Sequence, residues 1–494
     1  MLQAGAEGPL LRTGDTCWRI ERARRLAVIV DAADYFATVR RAVLKARYSV
    51  LFIGWDFDTR ITLDRPGNGS PTPNTLGKFL KWVVRQRPEL QIHVLRWDVG
   101  ALHALGRGST PLVILDWMID KRIHFKLDGA HPAGAAHHQK IVVIDDALAF
   151  CGGIDMTADR WDTRAHLDDD PNRVRPTTHR RYGPWHDVST AVDGDAARAL
   201  GQLARERWRC ATGEELEPPP PTGSAWPDGL DPSFRDVDVA ISRTAPEYGD
   251  RPAVHEIEAL YMAAIAAARK TLYIESQYFA SRKIAEAMSR RLRESNGPEI
   301  IVVNPETADG WLEEEVMGSS RARLLRLIRE ADRHRRFRLY TPVTSGGAPI
   351  YVHAKVMVVD DRLLRVGSSN LNNRSLGFDT ECDLSVEALP GAQRGVALSR
   401  SIVGLRNDLL AEHLGVPNAV IEEQIRAAGG SVIRAIEALR SDGKSLRPFQ
   451  PPALNDVEAT VLGENQLLDP ERPASRWRSL RRGLRRALST LRPK

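Results

Sequence analysis

Long apolar runs are missing from this chain. No stretch of its 494 residues approaches eighteen consecutive apolar residues, which excludes a spanning helix. Cysteine is scarce and scattered: Cys17, Cys151, Cys210 and Cys382 form no C-x-x-C pair. A disulfide framework and a cysteine-built zinc site are thereby excluded, and a reducing compartment fits. Met1 to Glu7 has no basic segment leading into an apolar core, so no secretory signal is expected. Positive charge is also short over most of the chain. Ser475 to Lys494 holds eight basic residues and no acidic one against a net +6 overall, leaving −2 for everything before it. That near-neutral body lacks the basic footprint of a nucleic-acid-binding domain. With 42% hydrophobic and 27% charged residues the mix is that of a folded globular chain, and the length predicts two to four domains.

What the chain does have is a pattern written twice. His138-Gln139-Lys140 is followed by Ile141-Val142-Val143-Ile144-Asp145, six further residues and Gly152-Gly153-Ile154-Asp155. His353-Ala354-Lys355 is followed by Val356-Met357-Val358-Val359-Asp360, six further residues and Gly367-Ser368-Ser369-Asn370. Both obey H-x-K-x4-D-x6-G-[GS]-x-[DN] without a gap. Upstream, Tyr35, Phe36, Val39, Ala42, Val43 and Ala46 fall at helical spacing before the strand-like Val50-Leu51-Phe52-Ile53. Ile257, Leu260, Tyr261, Ala264, Ile265 and Ala268 do the same before Leu272-Tyr273-Ile274. Ile92 to Leu95 and Ile300 to Val303 then read as buried strands. The expected fold is α/β: two similar mixed-sheet repeats packed about a pseudo-twofold axis, with the site at their seam. Residues 1–212 are assigned to the first repeat, 213–232 to a linker containing Pro218-Pro219-Pro220-Pro221, and 233–415 to the second repeat. A helical and irregular extension over 416–474 and a basic tail over 475–494 follow. Arg160 to Trp185 has no counterpart in the second half and is read as an insertion lying over the site of the first.

In each copy the four apolar residues after the lysine predict a buried strand that turns at Asp145 or Asp360. Histidine and lysine, two residues apart, point to one face of that strand. The glycines beyond the turn let backbone approach a ligand, and Asp155, Ser368 and Asn370 are candidates to contact a phosphate. One histidine and one lysine per half make an incomplete site. Two halves together supply two imidazoles and two ammonium groups, which suits phosphodiester chemistry. Lys140 and Lys355 would neutralise the non-bridging oxygens while one of His138 and His353 attacks phosphorus and the other protonates the leaving oxygen. Two fixed ammonium groups can supply the charge stabilisation, so no metal and no cofactor is expected. Asp168-Asp169-Asp170, with His166 nearby, reads as a solvated loop. Asp145 and Asp360 complete the catalytic set, although aspartate is also a favoured turn residue and both roles stay open. Asp187 and Glu381 each open the strand after their own hairpin, and the duplication gives them equivalent roles as acceptors that orient the histidines.

These residues resemble the phospholipase D superfamily, whose signature is a duplicated H-x-K-x4-D motif. The resemblance spans roughly residues 27–415 and takes in Ile53-Gly54-Trp55, Trp185-His186-Asp187, Ile274-Glu275-Ser276-Gln277-Tyr278-Phe279 and Glu412-His413-Leu414-Gly415. The last three resemble the phospholipase branch more than the single-motif nuclease branch. What the resemblance implies is a covalent phosphohistidine, with His138 as nucleophile and His353 as acid. The implied reaction is hydrolysis of a phospholipid to phosphatidate and free headgroup, with transphosphatidylation competing. A bacterial-type enzyme is implied as well, because the PX and PH domains of eukaryotic relatives have no room; lysine supplies only 11 of the 70 basic residues, in keeping with a GC-rich genome. A cardiolipin-synthase-type phosphatidyltransferase, a nuclease and a non-catalytic lipid-binding member are the alternatives. The expected partner is the phospholipid substrate, bound by a monomer with no specific nucleic acid. In the tail, Trp477, Leu480, Leu484, Leu488 and Leu491 share one helical face and Arg478, Arg481, Arg482, Arg485 and Arg486 occupy much of the rest. That pattern suits an anionic membrane surface and would place a cytoplasmic enzyme peripherally on the inner leaflet.

Overall fold

The structure, a computed structural model, describes residues 8–64, 72–98, 120–307, 311–389 and 395–450. The first half runs β1 (Arg19–Val30), α1 (Ala32–Val43), β2 (Ser49–Gly54), α2 (Leu76–Gln86), β3 (Gln91–Trp97), β4 (Ile123–Asp128), β5 (Ile141–Ile144), β6 (Leu148–Gly152), β7 (Trp185–His186), β8 (Val188–Asp193) and α3 (Asp195–Thr212). The second begins with β9 (Phe234–Ala245), β10 (Val254–His255), α4 (Glu256–Ala267), β11 (Thr271–Glu275), α5 (Arg282–Arg293), β12 (Glu299–Val303) and α6 (Trp311–Ala331). It continues through β13 (Phe337–Val343), β14 (Tyr351–Val352), β15 (Val356–Val359), β16 (Leu363–Gly367), α7 (Asn373–Gly377) and β17 (Glu381–Glu387). After it come α8 (Gly395–Leu414), α9 (Asn418–Ala427), α10 (Val432–Leu439) and β18 (Ser445–Pro448).

One half-sheet reads β4-β3-β2-β5-β6-β8-β1 and the other β13-β12-β11-β15-β16-β17-β9. The order is the same strand for strand, so the duplication extends from the motif to the whole sheet. The halves join where β1 pairs antiparallel with β9, Arg19 opposite Ile241 and Leu26 opposite Phe234. By hydrogen bonding they form one sheet, yet it folds back on itself. A single apolar cluster holds Val143, Cys151 and Val188 together with Val356, Val366 and Cys382, so the inner faces of the two halves pack against each other. On the outer faces, Tyr35 and Phe36 of α1 cover Val142 and Ile144, and Leu260 and Tyr261 of α4 cover Met357 and Val359. With both faces covered, β5 and β15 are buried at every position. That is why they are unbroken apolar runs and not alternating ones.

The turns after these two strands correct two assignments. Asp145 and Asp360 have φ of 49° and 53°, in the left-handed region that aspartate tolerates. The Asp145 carboxylate accepts the backbone N–H groups of Arg47, Tyr48 and Ser49 at 2.7–2.8 Å. Asp360 accepts those of Arg269, Lys270 and Thr271 at 2.7–2.8 Å. Each aspartate thus ties the helix-to-strand connection of its half to its hairpin, at the end of the strand remote from the histidine, about 20 Å away along an extended chain. Neither belongs to the catalytic set.

The proline-rich stretch over 213–232 is not a free tether. Trp226 is buried against the first half, lies under Arg25 at 4.5 Å and gives its carbonyl to Lys45 at 2.8 Å. Among the described residues no helix is long and apolar enough to cross a membrane. The basic tail, with the membrane contact assigned to it, lies outside the described residues.

Candidate active site

The segments that carry the histidines are stitched across the seam. β7 and β14 pair in parallel, Trp185 opposite Tyr351 and His186 opposite Val352, and the His353 N–H donates to the His186 carbonyl at 2.8 Å. In the equivalent place His137 bridges Thr380, and the His138 N–H donates to the Thr380 carbonyl at 3.0 Å. The carboxylates therefore cross over. Nδ1 of His138 lies 2.9 Å from Glu381 of the second half, and Nδ1 of His353 lies 2.7 Å from Asp187 of the first. Within its own half each carboxylate stands two strands away from its histidine, about 10 Å, whereas face-to-face packing sets it directly opposite the other. An Nδ1–H held by a carboxylate leaves Nε2 as the nitrogen open to a substrate.

The lysines stand beside the rings but are not equivalent. Lys140 donates to the His138 carbonyl at 3.0 Å and pairs with Asp155 at 3.1 Å. Lys355 donates to the His353 carbonyl and reaches an amide, the Gln277 Oε1, at 3.3 Å. Burial, with the charge of Lys140 added, lowers the Lys355 ammonium to about 7. Burial, with Lys140 and Lys355 beside it, holds the His138 imidazole well below its ordinary value; burial, Lys355, Arg160 and Lys140 do the same to His353. Both rings are thus held neutral in the free protein at neutral pH. Burial lifts the carboxyls of Glu381 to about 8 and of Asp187 to about 6.

Two of the three residues assigned to phosphate contact have other partners. The Asp155 carboxylate is taken up by Lys140 and by the backbone N–H groups of Trp55 at 3.0 Å and Asp56 at 3.4 Å; a second anion there would be repelled. Ser368 donates its hydroxyl to Glu381 and accepts the Cys382 N–H at 3.0 Å, so it orients the carboxylate that orients His138. Asn370 is buried with its Oδ1 unpartnered and remains the one of the three available to a ligand.

Sequence reasoning missed Arg160. It is 4% exposed, stacks on Trp185 at 4.3 Å, and has the Asp159 carbonyl as its hydrogen-bond partner at 3.3 Å. Trp185 stacks in turn on Tyr351 at 4.4 Å and lies 5.3 Å from the His353 ring. Arg160 is thus a third cation at the centre, delivered by the insertion, which reaches the second half and does not cover the first alone. Asp168 from the same insertion accepts from Thr344 and from the Gly346 N–H at 2.8 Å.

Three segments that carry the family resemblance meet in one buried network behind Asp187. His186 lies 2.9 Å from Glu275 and 2.8 Å from Glu412, and His413 lies 3.0 Å from Glu275. Asp31, His166, His186 and Glu412 offer four ligand atoms within 4.8 Å of one another; Asp31 Oδ2 lies 3.4 Å from His166, and His186 Nδ1 lies 3.3 Å from Asp31 Oδ1. Burial opposes charge on these imidazoles, but Glu275 and Glu412 outweigh it at His186, held well above its ordinary value, and Asp31, Asp162 and Glu412 hold His166 at about 9. The set is a protonated ion-pair network in which a divalent cation could replace two protons. The sequence reads Asp168 to Asp170, with His166 nearby, as a solvated loop; of these, His166 is buried in the cluster.

The architecture is a duplicated α/β fold with one two-sided His/Lys centre at the seam. The chain belongs to the phospholipase D superfamily. A family description "Cardiolipin synthase, PLD-like domain" matches residues 261–394 and "Phospholipase D" matches residues 120–218. Phospholipase D A of Dictyostelium discoideum is 25% identical over 78% of this chain and 35% of its own length. Cardiolipin synthase A of Proteus mirabilis is 26% identical over 51% of this chain and 44% of that one. The chain spans about a third of the first of these and under half of the second. The solved phosphatidylserine synthase of Haemophilus influenzae Rd KW20 shares the fold, with a TM-score of 0.50 at 13% identity, covering 78% of this chain and 88% of that one.

Proposed function

We propose that this protein is a phospholipase D-type phosphodiesterase that hydrolyses a phospholipid to phosphatidate and a free headgroup through a covalent phosphohistidine. The observation that carries the reading is the reciprocal crossing of Glu381 to His138 and Asp187 to His353, which leaves two Nε2 atoms and two lysines for one phosphodiester. One Nε2, His138 by family resemblance, attacks phosphorus and the P–O bond to the headgroup breaks. The other ring, which takes up a proton when the anionic diester binds, gives it from Nε2 to the departing oxygen and takes one back from water as water attacks the phosphohistidine. Lys140, Lys355 and Arg160 offset charge on the non-bridging oxygens. Because the intermediate partitions between acceptors, a primary alcohol should divert product from phosphatidate to the transphosphatidylated lipid as its concentration rises. Chromatography of the lipid products on a panel of headgroups checks this; phosphatidate alone at every alcohol concentration would contradict a discrete intermediate open to acceptors.

The runner-up, a phosphatidyltransferase of the cardiolipin synthase type, is favoured by the family description matched over residues 261–394. It predicts phosphatidylglycerol as the preferred acceptor in the same assay.

A further inference from the structure

A large cavity lies at the end of the second half-sheet opposite the histidines. Its volume is about 1490 Å³, and the start of β11, the β15–β16 turn, the end of β17, α8 and α9 line it as an open cleft. Its charge is one-sided. Arg269, Lys270, Arg400, Arg406 and Arg426 line it, and among the described residues none of the five has a carboxylate within ion-pair distance. Of the acidic residues there, Asp360 is committed to three backbone N–H groups, while Asp361 and Glu422 are exposed.

Arg406 is the telling member. It is 6% exposed, and both its Nε and Nη2 are given to one amide oxygen, Asn407 Oδ1, at 3.1 and 2.8 Å. A buried guanidinium is costly without a counter-ion. The contrast is Arg365, equally buried, which meets Asp383 at 2.6 Å and is held above its ordinary value, whereas burial lowers Arg406. Two large apolar residues, Leu389 and Val396, stand on the rim at 43% and 66% exposure.

We infer that this cavity is a second, non-catalytic binding site for a phosphate group, carried either by a free phosphoester or by a lipid headgroup. A phosphate presents several acceptors and up to two charges to a guanidinium fork, which answers both the uncompensated Arg406 and the four cations around it. The cavity has room for the organic part of a phosphoester, and the rim residues would meet acyl chains if that part is a lipid.

Titration calorimetry of the full chain with inorganic phosphate and with glycerol 3-phosphate tests the site. Wild type should bind at two places, and Lys355→Ala should lose the catalytic one only. Arg406→Gln should weaken the other by about tenfold or more while phosphate still competes with a soluble diester at the catalytic centre. Arg400→Gln/Arg426→Gln, on exposed positions that do not support the fold, should weaken it severalfold. A single site in wild type that Lys355→Ala abolishes, or titrations of Arg406→Gln and of the double variant that match wild type, would overturn the inference. Sedimentation with phosphatidate-containing against pure phosphatidylcholine vesicles separates the two sources. For a lipid, both Arg406→Gln and Leu389→Ser/Val396→Ser reduce vesicle binding while the latter keeps soluble phosphoester binding. For a free phosphoester, vesicle binding ignores both variants, while soluble phosphoester binding is weakened by Arg406→Gln and kept by Leu389→Ser/Val396→Ser.

Discussion

His138 and His353 exchange their carboxylates across the seam, and the exchange gives each ring a distinct test. Glu381→Gln disturbs the ring of the first motif and Asp187→Asn that of the second, although each mutated residue belongs to the other half. Each should lower kcat by about 10²–10⁴ with a smaller change in KM, as loss of an orienting carboxylate does. With an activated leaving group that needs no acid, Asp187→Asn should still release a first equivalent of leaving group, whereas Glu381→Gln should not. Lys355 sets the pH behaviour. Its ammonium, lowered to about 7 by burial and the charge of Lys140, is present below that pH and lost above it. The kcat/KM for an anionic diester should therefore fall as pH rises through about 7, and the corresponding limb in kcat should lie higher because bound phosphate favours the charged form. A pH profile of Lys355→Arg, whose guanidinium does not titrate there, should lack this limb. A wild-type kcat/KM flat to pH 9 would contradict the assignment.

At the scale of elements, Asp145 and Asp360 act on the hairpins. Asp145→Ala leaves three backbone N–H groups without their acceptor and should cost about 2–4 kcal/mol of stability with kcat per folded molecule unchanged. Urea unfolding paired with active-site titration checks it; a collapse of kcat at unchanged stability would return the residue to the chemistry. The same elements show what a sequence can and cannot reveal. Strands β5 and β15 and the helices over them are legible because local periodicity and burial on both faces leave a direct trace, as the runs Ile141 to Ile144 and Val356 to Val359 do. The H-x-K spacing likewise puts two side chains on one face by strand geometry alone. Asp145 sits in the same motif yet points into a turn, since a motif records co-occurrence and not distance. Nothing local announces that Ser368 serves Glu381, that Asp155 neutralises Lys140, or that Arg160 comes in from an insertion. The first two join residues within one half, off the regular strand pairing. The place of Arg160 beside His353 and the exchange of Glu381 to His138, 243 positions away, depend on how the two half-sheets pack.

For the whole molecule, duplication explains why the proposed catalytic centre needs two halves. Neither half holds a complete His–carboxylate pair, so an isolated half should be inactive even if it folds. The basic tail adds a separate expectation. Its arginine-rich amphipathic pattern should draw the protein to anionic vesicles, each basic residue near the surface contributing about 1 kcal/mol. Deleting residues from Ser475 onward should weaken that binding and leave turnover of a soluble diester unchanged; sedimentation that matches the full chain would show that the tail is not the anchor.

The central claim is a phosphohistidine formed at a seam built from both repeats. It is tested most directly by trapping the intermediate on the His353→Ala variant with a diester bearing an activated leaving group, then locating the phosphate by peptide mass spectrometry. The expected result is a burst of one leaving group per chain and a phosphoryl adduct on His138, which His138→Ala abolishes. Turnover without any adduct, or an adduct on a residue outside the two motifs, would contradict it.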